Sequence, residues 1–279
     1  MIPRNTRRVI VLEGLLLRGL DRVGLPWTVE PPVPWSEMHA VVREAPPSAV
    51  VLLDPYAGAA PGETFPRLHD LLRRFPSTTV VAALELTPER AVDASTLLEW
   101  GVAELVDPGP ECTARAIQGR LRQAHARPLK RRLERALWSY ASSDARELLM
   151  GAAEVAVEGG GAPELARVLR VAPRTLTEKC TRAAVPPPRQ VQAWMRILLA
   201  CMLLDDPGRT IYGTAYACGY ATDRSLRRAV FSFLGADATT LRRIGAFARA
   251  TAAFNRMLRE MREDGRDQRR GARALEGIA

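Results

Sequence analysis

Cysteine and histidine, the side chains that most often hold metal ions, are scarce in this chain of 279 residues. It has 4 cysteines and 3 histidines, and neither set has the spacing of a metal site or of a nucleophilic triad. The histidines also lack matching carboxylate or cysteine partners. We therefore predict no metal site and interpret the cysteines as buried free thiols. The residues concerned are Cys112, Cys180, Cys201, Cys218, His39, His69 and His125.

Long apolar runs are missing as well. No run reaches the ~18 residues that a membrane-spanning helix needs, and the N-terminal stretch returns to charge too soon for a signal peptide. No glycine-rich loop follows a strand with the spacing that cradles phosphates. These absences predict a cytoplasmic protein with no cofactor and no membrane association. The only support for an enzymatic function is the general capacity of a parallel sheet to host an active site, so we expect no enzymatic activity.

Positive charge is concentrated in the second half of the chain. Residues 1–128 hold 14 basic and 15 acidic residues, a net charge of −1, whereas residues 129–279 hold 26 basic and 16 acidic residues, a net charge of +10. Genome base content alone can enrich arginine, but it does not explain the difference between the halves. The asymmetry favours a polyanionic partner for the second half, because cations near phosphates release condensed counterions.

Short apolar runs and helical patterns alternate over the first 126 residues, in a chain long enough for two domains. Five runs predict β-strands and five patterns predict helices. Such alternation predicts an α/β domain with an open parallel sheet covered on both faces. The predicted strands are Arg8–Leu12, Trp27–Val29, Val50–Leu53, Thr79–Leu84 and Ala103–Val106, and the predicted helices are Leu15–Val23, Trp35–Glu44, Phe65–Phe75, Pro88–Trp100 and Cys112–His125.

The order and length of these elements resemble a response-regulator receiver domain, flavodoxin-like in fold, over residues 1–127. The resemblance places the phosphoacceptor position at Asp54, after the third strand. Three other positions depart from the receiver pattern. The carboxylate pair after the first strand is reduced to Glu13, and the hydroxyl position falls near Ala82 or Ala83. The lysine position holds Asp107, which adds negative charge where a phosphoryl group needs neutralisation.

We therefore interpret this domain as a pseudo-receiver that is not phosphorylated and that serves dimerisation, partner docking or signal sensing. Asp54 is then an ordinary strand-end carboxylate that caps the turn before Pro55. A small-molecule sensor at the strand ends near Asp54 and Asp107 is compatible with this interpretation.

A linker helix is predicted over residues 128–142, where apolar residues recur at three- and four-residue spacing with arginines on the opposite side. Two uses of its apolar stripe remain open. The helix packs on a domain of its own chain, or it pairs with its copy in a homodimer.

The stretch over residues 210–243 divides at Gly219 into two short helical segments, the first capped by Thr210. Glycine takes the positive φ that a tight turn needs, so the pattern predicts a helix-turn-helix. Guanidinium groups near the start of the second helix can pair with guanine edges or phosphates, and Arg228 is expected to hold a phosphate or an internal carboxylate. The candidate DNA-binding residues are Thr222, Asp223, Arg224, Arg227 and Arg228.

Ile211, Ala215, Gly219-Tyr220, Arg228-Ala229 and Leu234-Gly235 resemble the second helix-turn-helix of AraC-type bacterial transcription regulators. Such domains carry two helix-turn-helix units joined by a long helix, so the resemblance implies a first unit roughly 50 residues upstream. It also implies sequence-specific binding of double-stranded DNA.

Residues 162–184 match that first unit in spacing. Leu165-Ala166 and Leu169 mark one helix, Val171 a turn, and Pro173 opens the next helix, where its missing N–H costs little. The resemblance implies four residues that face the DNA groove: Arg174, Thr177, Glu178 and Thr181. Glu178 departs from the family, in which a basic residue is common there, so we expect this unit to bind weakly or to read an unusual base.

Residues 191–204 predict the connecting helix, with more apolar positions than a one-sided helix needs. We interpret it as a buried central strut that holds the recognition helices for major-groove segments about one turn, ~34 Å, apart. We assign residues 143–263 to the double helix-turn-helix domain. Residues 264–279 lack a core-forming pattern and are interpreted as a mobile basic tail.

The sequence thus predicts a bacterial transcription regulator, in which a pseudo-receiver precedes a double helix-turn-helix domain. The alternative is a protein-interaction scaffold that does not bind DNA and is built from degenerate regulator modules. Three observations favour that alternative: Glu178, Lys179 at a position where a larger apolar residue is usual, and the lost receiver residues.

Overall fold

The structure is a computed structural model that describes residues 7–57, 65–109, 112–137 and 142–276, without the side chains of 264–276. The chain folds into two compact units, Met1–Leu129 with Asp206–Tyr220, and Lys130–Asp205 with Ala221–Ala279. We call them the sheet unit and the helical unit. The elements are β1 (Arg7–Val11), β2 (Trp27–Val29), α1 (Trp35–Glu44), β3 (Val50–Leu53), α2 (Pro66–Arg74), β4 (Thr79–Ala83), α3 (Ala91–Trp100), β5 (Glu104–Val106), α4 (Ala114–Ala124), α5 (Arg127–Leu137), α6 (Ser143–Val157), α7 (Ala162–Val168), α8 (Pro173–Arg182), α9 (Pro188–Leu204), α10 (Ile211–Ala217), α11 (Asp223–Leu234), α12 (Ala238–Ile244) and α13 (Ala246–Glu276).

A five-stranded parallel sheet forms the centre of the sheet unit. Its strand order is β2-β1-β3-β4-β5, which is the flavodoxin-like order. The register pairs Val9 with Val50 and Val51 with Val80. All four strand pairs are parallel, and the predicted fold class is confirmed.

Both faces of the sheet are buried, because successive side chains of a strand point to opposite faces. On one face, Ile10 and Val51 pack with buried residues of α1, α2 and α3. On the other face, Val9 and Val50 pack with residues that precede β2 and with α4. The connections that follow β1 and β3 therefore lie on opposite faces, and the edge between these two strands is the topological switch point of the sheet.

The prediction of a helix over Leu15–Val23 is wrong. Only a single 3₁₀ turn forms there, over Leu20–Arg22. Gly19 interrupts the helical pattern with a φ of 79°, and a Cβ atom at this position would lie 2.7 Å from the backbone nitrogen of Ala114. The close approach of the chain to the start of α4 thus requires a glycine and prevents a longer helix.

Helix α9 forms the core of the helical unit. Its residues from Val191 to Leu204 are almost all buried, and it packs against α6, α7, α8, α11, α12 and α13. Trp194 packs edge-on against Phe233 of α11, with ring centroids 4.8 Å apart, and against Phe254 of α13 at 5.3 Å. The prediction of a buried central strut is confirmed by this burial.

Helix α5 uses its apolar stripe within the chain, as the first of the two alternatives predicted. Leu133 is fully buried, and Lys130 Nζ forms a 2.7 Å ion pair with Glu154 of α6. The side-chain amide of Asn255 in α13 donates a 3.0 Å hydrogen bond to the carbonyl of Ala136. The predicted linker continued to residue 142, and residues 138–141 lie outside the described part.

The segment from Asp206 to Tyr220, which contains α10, is packed into the sheet unit. Asp206 is fully buried and accepts hydrogen bonds from the backbone N–H and the hydroxyl of Ser77. Arg209, 3% exposed, lies 3.4 Å from Asp206 and donates to the carbonyls of Arg43 and Ala45 at 3.1 and 3.2 Å. Desolvation lowers the pKa of Arg209, and the charge of Asp206 opposes that shift. These interactions assign to the sheet unit a segment that the sequence placed in residues 143–263, and those domain bounds stay a prediction.

Helix α13 continues to Glu276, whereas the sequence predicted a mobile basic tail from residue 264. The backbone of residues 264–276 is therefore helical and differs from that prediction. Arginine and alanine make up 6 of these 13 residues, and both have high helix propensity. Among the described helices, none is both long and apolar enough to cross a membrane.

Candidate nucleic-acid interface

The first helix-turn-helix consists of α7 and α8. Leu165 of α7 and Leu176 of α8 are both buried, so each helix turns its apolar side to the core. Helix α7 ends at a turn in which Arg170 has a φ of 54°, one residue before the turn predicted at Val171. Pro173 occupies the first position of α8, where it loses no helical hydrogen bond. The unit predicted from residues 162–184 therefore has two helices and a tight turn.

The four candidate residues of the first unit form one exposed face of α8. Arg174, Thr177, Glu178 and Thr181 are all exposed. The two threonine hydroxyls donate back to carbonyls one turn earlier, and Arg174 Nε lies 3.1 Å from Glu178 Oε1. Because an exposed pair of this kind contributes little, the guanidinium is available to exchange its partner for a phosphate.

The second helix-turn-helix consists of α10, the turn at Gly219, and α11. Thr210 caps α10 by accepting a 2.9 Å hydrogen bond from the N–H of Gly213, and Gly219 has a φ of 75°. Thr222 caps α11, since its hydroxyl accepts from the N–H of Ser225 at 3.1 Å while the Ser225 hydroxyl accepts from the N–H of Thr222. The predicted Thr210 cap and the turn at Gly219 are present, and the cap by Thr222 was not predicted. Helix α10 belongs to the sheet unit and α11 to the helical unit.

The structure distinguishes among the three candidate arginines of α11. Arg227 lies 3.6 Å from Asp223 and also donates a 3.1 Å hydrogen bond to the Thr239 hydroxyl on α12. Arg224 and Arg228 are exposed, and within the described residues neither has a hydrogen bond or an ion pair. For Arg228 the sequence left a phosphate or an internal carboxylate open; among the described residues no carboxylate pairs with it, and Asp223 pairs with Arg227 instead. Two guanidinium groups of α11 are available to an anion without breaking a contact.

Thr222 and Asp237 each cap a helix of the helical unit. Thr222 is exposed, but its hydroxyl is already used in the cap of α11. Asp237 caps α12 by accepting from the N–H groups of Thr239 and Thr240, both at 3.0 Å. Hydrogen bonds from the Thr240 hydroxyl and from these N–H groups lower the pKa of Asp237.

Two residues with exposed aromatic rings were not predicted from the sequence. Tyr212 and Tyr216 of α10 are 70% and 75% exposed, and their spacing of four residues places them on one face of the helix. A tyrosine hydroxyl is a common donor to phosphate oxygens. Their spacing of four residues, which avoids the buried positions Thr214 and Ala215, was the available signal.

All four cysteines are free and buried, as predicted. Burial raises the pKa of the thiols of Cys180 and Cys112, which keeps them protonated and unreactive. Within the described ranges, no group of three or more histidine, cysteine, aspartate or glutamate side chains is arranged to hold a metal ion.

The carboxylates at the ends of the strands form local turns. Asp54 Oδ1 accepts a 2.9 Å hydrogen bond from the N–H of Tyr56, and Asp107 Oδ1 accepts one of 2.9 Å from the N–H of Gly109. Tyr56 in turn donates a 2.6 Å hydrogen bond to Asp93. Desolvation and this hydrogen bond raise the pKa of Tyr56 to about 12. Asp54 thus has the turn-capping geometry of an ordinary strand-end carboxylate.

A comparison with protein families covers the segment that contains both units. Residues 165–244 match a family model described as a helix-turn-helix domain, of the AraC type. The matched segment begins in α7 and ends with α12, so it includes both α8 and α11. The match supports a DNA-binding transcription regulator. No curated protein and no solved structure matches the chain.

Proposed function

We propose that this chain is a sequence-specific DNA-binding transcription regulator that uses both α8 and α11 as recognition helices. The observation that carries the proposal is the coincidence of the matched segment with two helix-turn-helix units whose recognition helices both pack against one buried helix, α9. Helix α9 has 17 residues, about 25 Å at 1.5 Å per residue. A helix of that length holds the recognition helices α8 and α11 in a constant register. This arrangement suits a binding site with two parts in successive major-groove segments.

Within this proposal, Arg224 and Arg228 make the principal contacts of α11. Both are exposed and have no partner among the residues that the structure describes. Arg227 and Arg174 contribute after release from Asp223 and Glu178, and Thr177, Thr181 and Thr222 are secondary contacts. The first unit binds more weakly, because Glu178 places a carboxylate among phosphates.

The sheet unit acts in this proposal as a receiver-like module that is not phosphorylated. Support comes from the capping contact of Asp54 and from Asp107, which stands at the lysine position. The module serves homodimerisation or the sensing of a protein or small-molecule effector. Incubation with a small phosphodonor and Mg²⁺ tests this point by mass spectrometry. We expect no mass gain, and a phosphoryl adduct that disappears in Asp54→Asn would contradict the proposal.

The test of DNA binding is selection of fragments from the source genome by the purified chain across a salt series, followed by sequencing. We expect one enriched motif whose parts lie about one helical turn apart, with affinity falling steeply in salt. Arg224→Ala and Arg228→Ala should each weaken binding to that motif, by about 1–3 kcal/mol where a base contact is lost. Arg73→Ala, an exposed arginine of α2, is the matched control.

The second candidate function is a protein-interaction scaffold that does not bind DNA. The pairing of Arg174 with Glu178 and of Arg227 with Asp223 favours it, because both pairs reduce the positive potential of the recognition helices. Weak binding without an enriched motif, unchanged in Arg224→Ala and Arg228→Ala, would select this function over the first.

A further inference from the structure

A cavity of about 740 Å³ opens at the carboxyl ends of the parallel strands. It is lined by residues that follow β1 and β3 and by the first turns of α1 and α2. This position is the topological switch point of the sheet, where connections to opposite faces leave a crevice. The volume lies within the range of pockets that hold small organic ligands.

Two opposite charges in the cavity lining have no side-chain partner among the residues that the structure describes. The carboxylate of Glu13 follows β1 and the guanidinium of Arg67 lies in the first turn of α2. In the part of the chain that the structure describes, neither side chain forms a hydrogen bond or an ion pair. The lining also contains His39 and Asp70: among the described residues His39 Nε2 lies 3.4 Å from Asp70 without a hydrogen bond, and Asp70 pairs with Arg74 at 3.1 Å.

The apolar part of the cavity lining is held in place by a hydrogen bond. It consists of leucine, proline and alanine side chains together with the indole of Trp35. The indole N–H donates a 2.8 Å hydrogen bond to the carbonyl of Ala57, which joins the start of α1 to the chain after β3. The cavity thus presents a fixed apolar surface with a carboxylate and a guanidinium at its margin.

We propose that this cavity binds a zwitterion of the amino-acid or short-peptide class. The ligand ammonium pairs with Glu13, its carboxylate pairs with Arg67, and its body contacts Trp35. A phosphate dianion is disfavoured because Glu13 and Asp70 repel it, and a simple cation leaves Arg67 without a counterion. The dipole of α2 adds to the attraction for the carboxylate. This site deepens the sensing role in the proposed function and differs from the strand ends near Asp107.

Calorimetric and thermal-shift titrations of the full chain, without DNA, test the site with the common L-amino acids and a panel of unmodified dipeptides. We expect at least one of them to bind saturably and to raise Tm. Its N-acetylated and C-amidated forms should bind roughly 10–100-fold more weakly, since each loses one charge-assisted hydrogen bond.

Two variants identify which residue holds which end of the ligand. Glu13→Gln should no longer discriminate against the N-acetylated form, and Arg67→Gln should no longer discriminate against the amide. Both positions are exposed, so the fold is retained. Glu44→Gln in α1 and Arg73→Gln in α2 are exposed controls outside the cavity lining, and they should bind like the parent.

Three results would overturn the inference: no zwitterion binds, binding is unchanged in both variants, or inorganic phosphate binds as tightly as the best zwitterion. Because DNA is absent, these results are separate from the DNA test. A chain that binds a zwitterion but selects no DNA motif keeps this site and loses the proposed function.

Discussion

Removing Arg209 should release the Asp206–Tyr220 segment from the sheet unit. In Arg209→Met the carbonyls of Arg43 and Ala45 lose their donor, and the buried carboxylate of Asp206 loses its cation at 3.4 Å. Asp206 keeps the two hydrogen bonds from Ser77. Breaking a buried pair by removal of one partner typically costs about 3–5 kcal/mol, because the remaining charge stays desolvated.

Amide hydrogen exchange measures this loss of stability within the Asp206–Tyr220 segment itself. Since about 1.4 kcal/mol corresponds to a factor of ten, exchange in α10 should accelerate roughly a hundredfold to several thousandfold if the segment opens locally. Exchange in β3 and β4 should change much less. Arg73→Met replaces an exposed arginine of the same unit and should leave α10 unchanged.

The double variant Asp206→Leu/Arg209→Met separates charge from packing. With both charges absent, no uncompensated ion is buried, so the double variant should protect α10 better than Arg209→Met alone. Unchanged protection of α10 in Arg209→Met would refute the reasoning, as would a double variant that is destabilised by the sum of the two single effects. Under the proposed function, a released α10 also weakens DNA binding, because it is the first helix of the second helix-turn-helix.

Three further predictions concern the helical unit. Glu178→Gln should tighten DNA binding and steepen its salt dependence, because a carboxylate near phosphates is removed; unchanged affinity would place α8 outside the interface. The lowered pKa of Asp237 means that its cap stabilises the fold above the ordinary aspartate pKa of 3.8 and loses this contribution as pH falls through the lower, folded value; urea unfolding of Asp237→Asn against pH should lack this component. Trp194→Ala should destabilise the helical unit by about 3–5 kcal/mol in urea unfolding, because its ring fills the space between Phe233 and Phe254; a loss below about 1 kcal/mol would contradict its role in the core.

Local signals predicted most of the fold. Short apolar runs located the five strands within one residue at most ends, because a strand buried on both faces has an unbroken apolar sequence. Caps and turn residues located the helix-turn-helix units, because Thr210, Pro173 and Gly219 act on backbone groups within four residues of themselves. The helix predicted over Leu15–Val23 failed for a non-local reason: Gly19 is required by the approach of Ala114, almost a hundred residues later in the chain.

The candidate site was predicted as a set of residues but not as a set of contacts. Spacing on α11 placed Arg224, Arg227 and Arg228 on its polar side, and the structure shows all three at least partly exposed. Which of them is paired depends on rotamers and on α12, and the partner Thr239 of Arg227 was not evident from helical periodicity. The cavity beside Glu13 was also missed, because its lining comes from four separate segments.

The sequence by itself determined the alternation of strands and helices, the two helix-turn-helix units and the excess of positive charge in the second half. Each of these depends on residue type and on spacing over a few residues. Tertiary structure decided that Asp206–Tyr220 belongs to the sheet unit and that a cavity opens beside Glu13 and Arg67. It also decided that, within the described ranges, Arg227 is paired while Arg224 and Arg228 are not. These outcomes depend on hydrogen bonds and burial between residues far apart in the chain, which a local pattern does not encode.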